Sequence, residues 1–175
     1  MIHVGYTNID GLLLIKPDVF KDARGTYTEL YDTELYKDVL PIGTIFVQDD
    51  YSHSKKNVLR GIHGDEYTSK LISVLNGEIY SVIVDNRPNS KTYMKWESFY
   101  ITRKNNYQIF IPAGCGSAML ALTDDVVFHY KQTTHYIPNS QFTIRWNDER
   151  LNIKWPVKEK NIIISKRDLL GKYEK

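Results

Sequence analysis

Short runs of β-branched and aromatic residues, each closed by turn formers, recur along the whole chain and constrain its fold more than any other feature. Candidate strands are Leu12–Ile15, Thr26–Tyr31, Thr44–Asp49, Val58–Ile62, Leu71–Leu75, Glu78–Asp85, Trp96–Ile101, Gln108–Ile111, Ala118–Leu122, Val126–Lys131 and Phe142–Trp146. Asn76-Gly77, Asn86 to Ser90, Asn105-Asn106 and Asp124-Asp125 punctuate them, and Asn-Gly between apolar runs is the strongest hairpin signal available. Helix is scarce. Glu34 to Leu40 can make about two turns, with Thr33 as cap and Pro41 as stop, and Ser165 to Leu170 can start another. Thirteen tyrosines against three methionines lean the same way. The pattern predicts an all-β sandwich or barrel with a few short peripheral helices, whose interior side chains can line a small-ligand site. No linker, repeat or low-complexity stretch divides the 175 residues, so a single domain over 1–175 is expected.

Charge excludes some functions. Lys plus Arg is 23 and Asp plus Glu is 21, a net +2 that does not describe a nucleic-acid binder. The lysines near the C-terminus, such as Lys158, Lys160 and Lys166, are interrupted by acids and read as a solvated surface. The single cysteine, Cys115, cannot form an internal disulfide, which fits a reducing compartment. No basic region followed by an apolar stretch opens the chain, and no apolar run approaches a membrane span; a cytoplasmic location is expected.

Alternation along a strand says which side chains share a face. In the run from Val126 to Lys131, Tyr130 falls with Val126 and Phe128 and so points inward, where its hydroxyl needs a partner or a ligand. In the run from Val58 to His63, strict alternation places His63 with Leu59 and Gly61, and Arg60 on the opposite face or strand edge. Taken alone, both His63 and Tyr130 are more readily core residues with satisfied polar ends, and Arg60 a surface ion-pair residue. The five histidines (His3, His53, His63, His129, His135) contain no His-x-His pair and no helical metal motif, so no metal is expected. Cys115, between Gly114 and Gly116, reads as a small turn residue rather than a nucleophile. No Gly-rich dinucleotide loop or phosphate-binding loop of the Walker type is present.

Read together, several segments resemble one family. They are Phe20 to Gly25 with Tyr27 and Glu29, Phe46 to Asp49, Asn57 to His63, Lys70-Leu71, Gly77-Glu78, Ile111-Pro112, Tyr130-Lys131, Trp146 to Glu149, Ile153 to Pro156, and Ser165 to Asp168. In that order they are similar to the dTDP-4-dehydrorhamnose 3,5-epimerases and their relatives. The resemblance implies a cupin-type jelly-roll barrel, a homodimer, a nucleotide-sugar substrate, no cofactor and no metal. It implies His63 as general base, Asp168 as the carboxylate that orients it, Tyr130 as general acid on the other face of the sugar, and Lys70 as a cation near the sugar's C4 oxygen. Arg60 matches a diphosphate contact. Arg24, Tyr27, Glu29 and Gln48 fall in segments that hold the nucleotide, some of them across the dimer.

The chain also departs from the family pattern. His63 is followed by Gly64-Asp65, Ser117 stands where a second pocket histidine is usual, and Ser81 stands where an Asp is common. Gly61 to Asp65 and Trp146 to Arg150 also resemble a subgroup acting on GDP-linked 6-deoxy-4-keto heptoses, which leaves dTDP-hexose and GDP-heptose open with a slight lean to the heptose. The expected reaction is inversion at C3, C5 or both, as a step toward a bacterial surface polysaccharide. The alternatives are 3,4-ketoisomerisation and a barrel that binds a sugar nucleotide without catalysis; a tyrosine on the far face favours epimerisation, because a one-face proton shuttle has no use for it.

Overall fold

Alternating side chains need two different environments, and here each sheet is covered on both faces. The computed structural model describes residues 2–171. The chain runs β1 (His3–Tyr6), β2 (Leu13–Lys16), β3 (Phe20–Asp22), β4 (Gly25–Tyr27), α1 (Thr33–Tyr36), β5 (Gln48–Ser54), β6 (Val58–Gly64), β7 (Lys70–Asn76) and β8 (Glu78–Asp85). It continues through β9 (Trp96–Thr102), β10 (Gln108–Ile111), β11 (Cys115–Ala121), β12 (Val126–Gln132), β13 (Phe142–Thr143), β14 (Ile163–Ile164) and α2 (Lys166–Leu170). One sheet has the order β1-β2-β10-β7-β12-β5, and the other β13-β6-β11-β8-β9 with β14 parallel to β6. The two face each other as a jelly roll, and β3 and β4 form a separate hairpin.

The interior cluster lies between the sheets and includes Ile72, Val74, Ile79, Ile83, Ile109 and Met119, with Phe128 and Tyr130 against it. Fully burying a side chain of this size contributes about 1.5–3 kcal/mol. Alternate residues of β8 point the other way. Tyr80, Val82 and Val84 meet Ile144, Trp146 and Leu151 from the segment after β13. This explains why only Phe142–Thr143 of the expected strand to Trp146 enters a sheet. The rest lies as a strap over the outer face, tied by Trp155 Nε1 donating to the Trp146 carbonyl (2.8 Å) and Trp96 Nε1 to that of Leu151 (2.7 Å). Outside the first sheet, Tyr36 and Leu40 pack on Ile15, Leu71 and Phe110.

Several local expectations need correction. Asn76-Gly77 is a turn, with Gly77 at φ +79°, but it is not a hairpin: β7 and β8 belong to opposite sheets, and the turn carries the chain across the roll. The strand expected at Thr44–Asp49 begins only at Gln48, because Phe46 leaves the ladder to pack edge-on against Tyr31 (5.1 Å). Tyr31 is in turn drawn out of the strand expected from Thr26, which ends at Tyr27. The cap of α1 is Asp32, whose carboxylate accepts from Leu35 N (2.9 Å), and Thr33 is already helical. In α2, Ser165 caps as a helix start there requires, accepting from Asp168 N (3.1 Å).

The faces of β6 are also corrected. His63 pairs with Ser117 and Arg60 with Met119, so three steps along β6 oppose two along β11. The extra residue is a bulge at Gly61, which has φ +115°. Leu59 and Ile62 therefore share the outer cluster, and Arg60 and His63 both line the interior cavity.

Candidate active site

Between the sheets lies a cavity of about 750 Å³, the size of a small-molecule site. From β6 come Arg60 and His63, from β11 Ser117, from β7 Lys70, from β12 Tyr130, and from α2 Asp168. Gln48 enters from β5. Seven of the ten residues singled out from the sequence are thus brought together. The other three are not. Arg24 and Tyr27 sit on the exposed β3–β4 hairpin, where Arg24 pairs with Asp22 (2.6 Å), and Glu29 is exposed beyond it.

His63 Nε2 lies 2.6 Å from Asp168 Oδ1. The other carboxylate oxygen accepts from Gly61 N (3.1 Å), so one carboxylate is held by the bulge and holds the imidazole two residues on. Burial raises the Asp168 carboxyl, but the hydrogen bond and charge of His63, with Gly61 N–H and Ser165, outweigh it and leave it below the usual range. The carboxylate is therefore ionised, and it fixes the orientation of the ring.

The facing sheet carries the cation and the phenol. Lys70 Nζ stands 5.6 Å from the centre of the Tyr130 ring. Burial pulls the Lys70 ammonium below its ordinary value, with Asp65 and Asp50 opposing. Burial pushes the Tyr130 phenol up, the Asp50 charge adds to this, and Arg60 works against it. Among the described residues, neither Lys70 Nζ nor the Tyr130 hydroxyl is hydrogen-bonded to another side chain, so both polar ends remain for a ligand.

The departures in sequence have distinct structural places. Asp65 accepts from Tyr67 N (2.9 Å) and Thr68 N (2.7 Å) and so folds the loop that leads into Lys70. Ser81 is fully buried and donates to the Ala118 carbonyl (3.2 Å), which makes it a core hydroxyl rather than a cavity group. Ser117 does line the cavity. Cys115 is a buried strand residue whose thiol burial pushes up to about 12, which suits no nucleophile. Among the described residues no three His, Cys, Asp or Glu side chains are grouped to hold a metal ion, and no helix is long and apolar enough to cross a membrane.

Asp50, Ser52, Gln132, Tyr136, Gln141 and Arg167 also line the cavity and were given no role from the sequence. Alternation reaches three of them. Asp50 and Ser52 follow Gln48 at every second residue, and Gln132 follows Tyr130, but the strands read as Thr44–Asp49 and Val126–Lys131 stop short of them.

Known proteins match both chain and fold. The profile of the family described as dTDP-4-dehydrorhamnose 3,5-epimerase matches residues 6–173. The dTDP-4-dehydrorhamnose 3,5-epimerase of Escherichia coli (strain K12) is 39% identical over 170 residues, covering 95% of this chain and 91% of its own. A dTDP-6-deoxy-D-glucose-3,5-epimerase from Legionella pneumophila, solved with dTDP-4-keto-L-rhamnose, superposes with a TM-score of 0.93 at 36% identity, over 98% of this chain and 92% of that one. A 3'-monoepimerase from Streptomyces bikiniensis, solved with dTDP-quinovose, gives 0.89 at 28% identity, over 94% and 84%. Jelly roll and relatives together define an isomerase of the sugar-nucleotide epimerase class. The chain belongs to the dTDP-4-dehydrorhamnose 3,5-epimerase family.

Proposed function

We propose that this protein inverts C3, C5 or both in a dTDP-linked 4-keto-6-deoxyhexose by proton transfer through an enolate. The observation that carries the reading is the cavity's polarity across its width: a histidine fixed by a carboxylate on one side, and a half-buried lysine and tyrosine on the other. A C–H beside a ketone is a weak acid, and its proton leaves only if the charge that develops on the C4 oxygen is met. The ring nitrogen of His63 not bonded to Asp168 takes the proton. The Lys70 ammonium meets the enolate oxygen in a site shielded from water, where such a charge contributes a few kcal/mol, about 2.7–4 for a single donor. The Tyr130 hydroxyl then gives a proton to the opposite face of the same carbon. The histidine releases its proton and the phenolate regains one, so the turnover is proton-neutral.

Arg60 fits a diphosphate contact from the cavity wall, with Gln48 and Ser117 against the substrate. Arg24, Tyr27 and Glu29, remote from this chain's own cavity, suit the nucleotide in a partner's cavity across a homodimer. The exposed Phe20 and Tyr27 of the hairpin, Ile45 and Val47 in the segment before β5, and Tyr51 on that edge strand support that assembly. The relatives are named for dTDP sugars, which favours the hexose over a GDP-linked heptose. The family and the enzyme names of its members place the reaction in deoxysugar supply.

Incubation in deuterated water with a dTDP-linked 4-keto-6-deoxyhexose, and separately with a GDP-linked 4-keto-6-deoxyheptose, tests this. Deuterium is expected at C3, C5 or both of the dTDP sugar, and His63→Asn is expected to slow its uptake by about 10²–10⁴-fold. Uptake at one carbon alone would define a single-centre epimerase. No uptake in either sugar refutes the reading.

A further inference from the structure

Asp50 is the second carboxylate of the cavity, and the dyad makes no use of it. It lies on β5 directly across the ladder from Tyr130, in the register that also pairs Tyr130 with Ile72 on β7. Residues paired across two strands project their side chains to the same face, about 5 Å apart at Cβ. One of its oxygens, Oδ2, is held from two sides. Gln48 Nε2 donates to it at 2.7 Å and Gln132 Nε2 at 2.9 Å. Gln48 is itself anchored by Tyr136 N, which donates to its Oε1 (2.8 Å). Oδ1 accepts no hydrogen bond among the described residues. The carboxylate is thus fixed in place by side chains that carry no charge of their own.

The geometry points to Asp50 as a positioning residue for the epimerisation: held by Gln48 and Gln132 beside Tyr130 and Lys70, its charge keeps the proton on both groups until the enolate forms. This rests on the reading of Tyr130 as proton donor and Lys70 as cation. A phenol that donates must begin protonated, and a lysine that meets an enolate must begin charged. Burial assists the first and works against the second; a negative charge beside the pair assists both. The charged and titratable groups that line the cavity with Tyr130 are Asp50 from β5, Arg60 and His63 from β6, Lys70 from β7, Tyr136 from the segment after β12, and Asp168 with Arg167 from α2, and Asp65 adds to the field at Lys70. Asp50 is the carboxylate whose field acts on both Tyr130 and Lys70.

The sign follows directly. Loss of the negative charge makes phenolate easier to form and ammonium harder to keep, so both pKa values fall. Asp50→Asn keeps an oxygen for the two glutamine amides and removes the charge. The ring-carbon NMR signal of Tyr130, labelled at Cζ and assigned through Tyr130→Phe, is followed against pH in the whole protein. In Asp50→Asn it is expected to titrate about one pH unit lower than in the parent, with the alkaline limb of deuterium exchange moving the same way. Asp50→Ser, which also removes the charge, is expected to give the same shift and stands in if the first variant does not fold. An unmoved Tyr130 titration in a folded variant overturns the assignment of Asp50, whatever the rate does. Failure of the underlying reading looks different: Tyr130→Phe would then retain full inversion.

Discussion

Asp168 shows how much one side chain can carry. It joins the Gly61 backbone, the His63 ring and the Ser165 cap in a single cluster. Replacement by Asn keeps the shape and removes the charge that selects the ring's orientation. Asp168→Asn is expected to lower kcat for exchange by about 10²–10⁴-fold with little change in KM, read by steady-state deuterium uptake. The same group leaves a trace in stability. Its folded-state pKa lies below the ordinary 3.8, so its contribution is complete above that value and is lost as pH falls through the lower folded value. Unfolding midpoints measured below pH 4 are expected to fall more gently in the Asn variant than in the parent.

At the scale of the element, β6 is the strand on which alternation misleads. Tyr130 is legible from the sequence because β12 keeps a strict two-residue period where it faces the cavity. Arg60 is not, because an inserted residue in β6 changes which face it meets, and nothing local marks the insertion except a glycine. The limits of β5 and β12 hid Asp50 and Gln132 for a different reason: polar residues that end a strand pattern look like its boundary, although here they are the wall of a cavity. Asn76-Gly77 was legible as a turn but not as a crossing, since a turn's chemistry does not state which sheet receives the next strand. The bulge itself is testable. A Cβ at Gly61 would collide with the Ser117 carbonyl oxygen and stand 2.8 Å from Ala118 Cα, at a φ that side chains rarely adopt. Gly61→Ala is expected to cost about 3 kcal/mol in urea unfolding.

For the whole molecule, the two-sheet roll follows from the spacing of the strands, whereas the outer covering by the 144–157 strap does not, because its tryptophans mimic a further strand. The hairpin that carries Arg24 and Tyr27 stands clear of its own chain's cavity, and this gives the proposed homodimer a functional test. In a dimer whose hairpins are exchanged, a protomer lacking Arg24 and one lacking His63 are complementary. Mixing Arg24→Ala with His63→Asn after reversible dissociation is expected to restore up to about a quarter of the parent's exchange rate, the share of intact sites in a random mixture. Activity no greater than the sum of the two variants alone would confine Arg24 to its own protomer. The dyad has a meaning for folding as well. Its two halves are 105 residues apart, one in the middle of the jelly roll and one on α2, which follows every strand among the described residues. A dyad so widely separated is no local motif; it exists only where α2 docks on β6, so the chemistry of this barrel is a product of its complete fold.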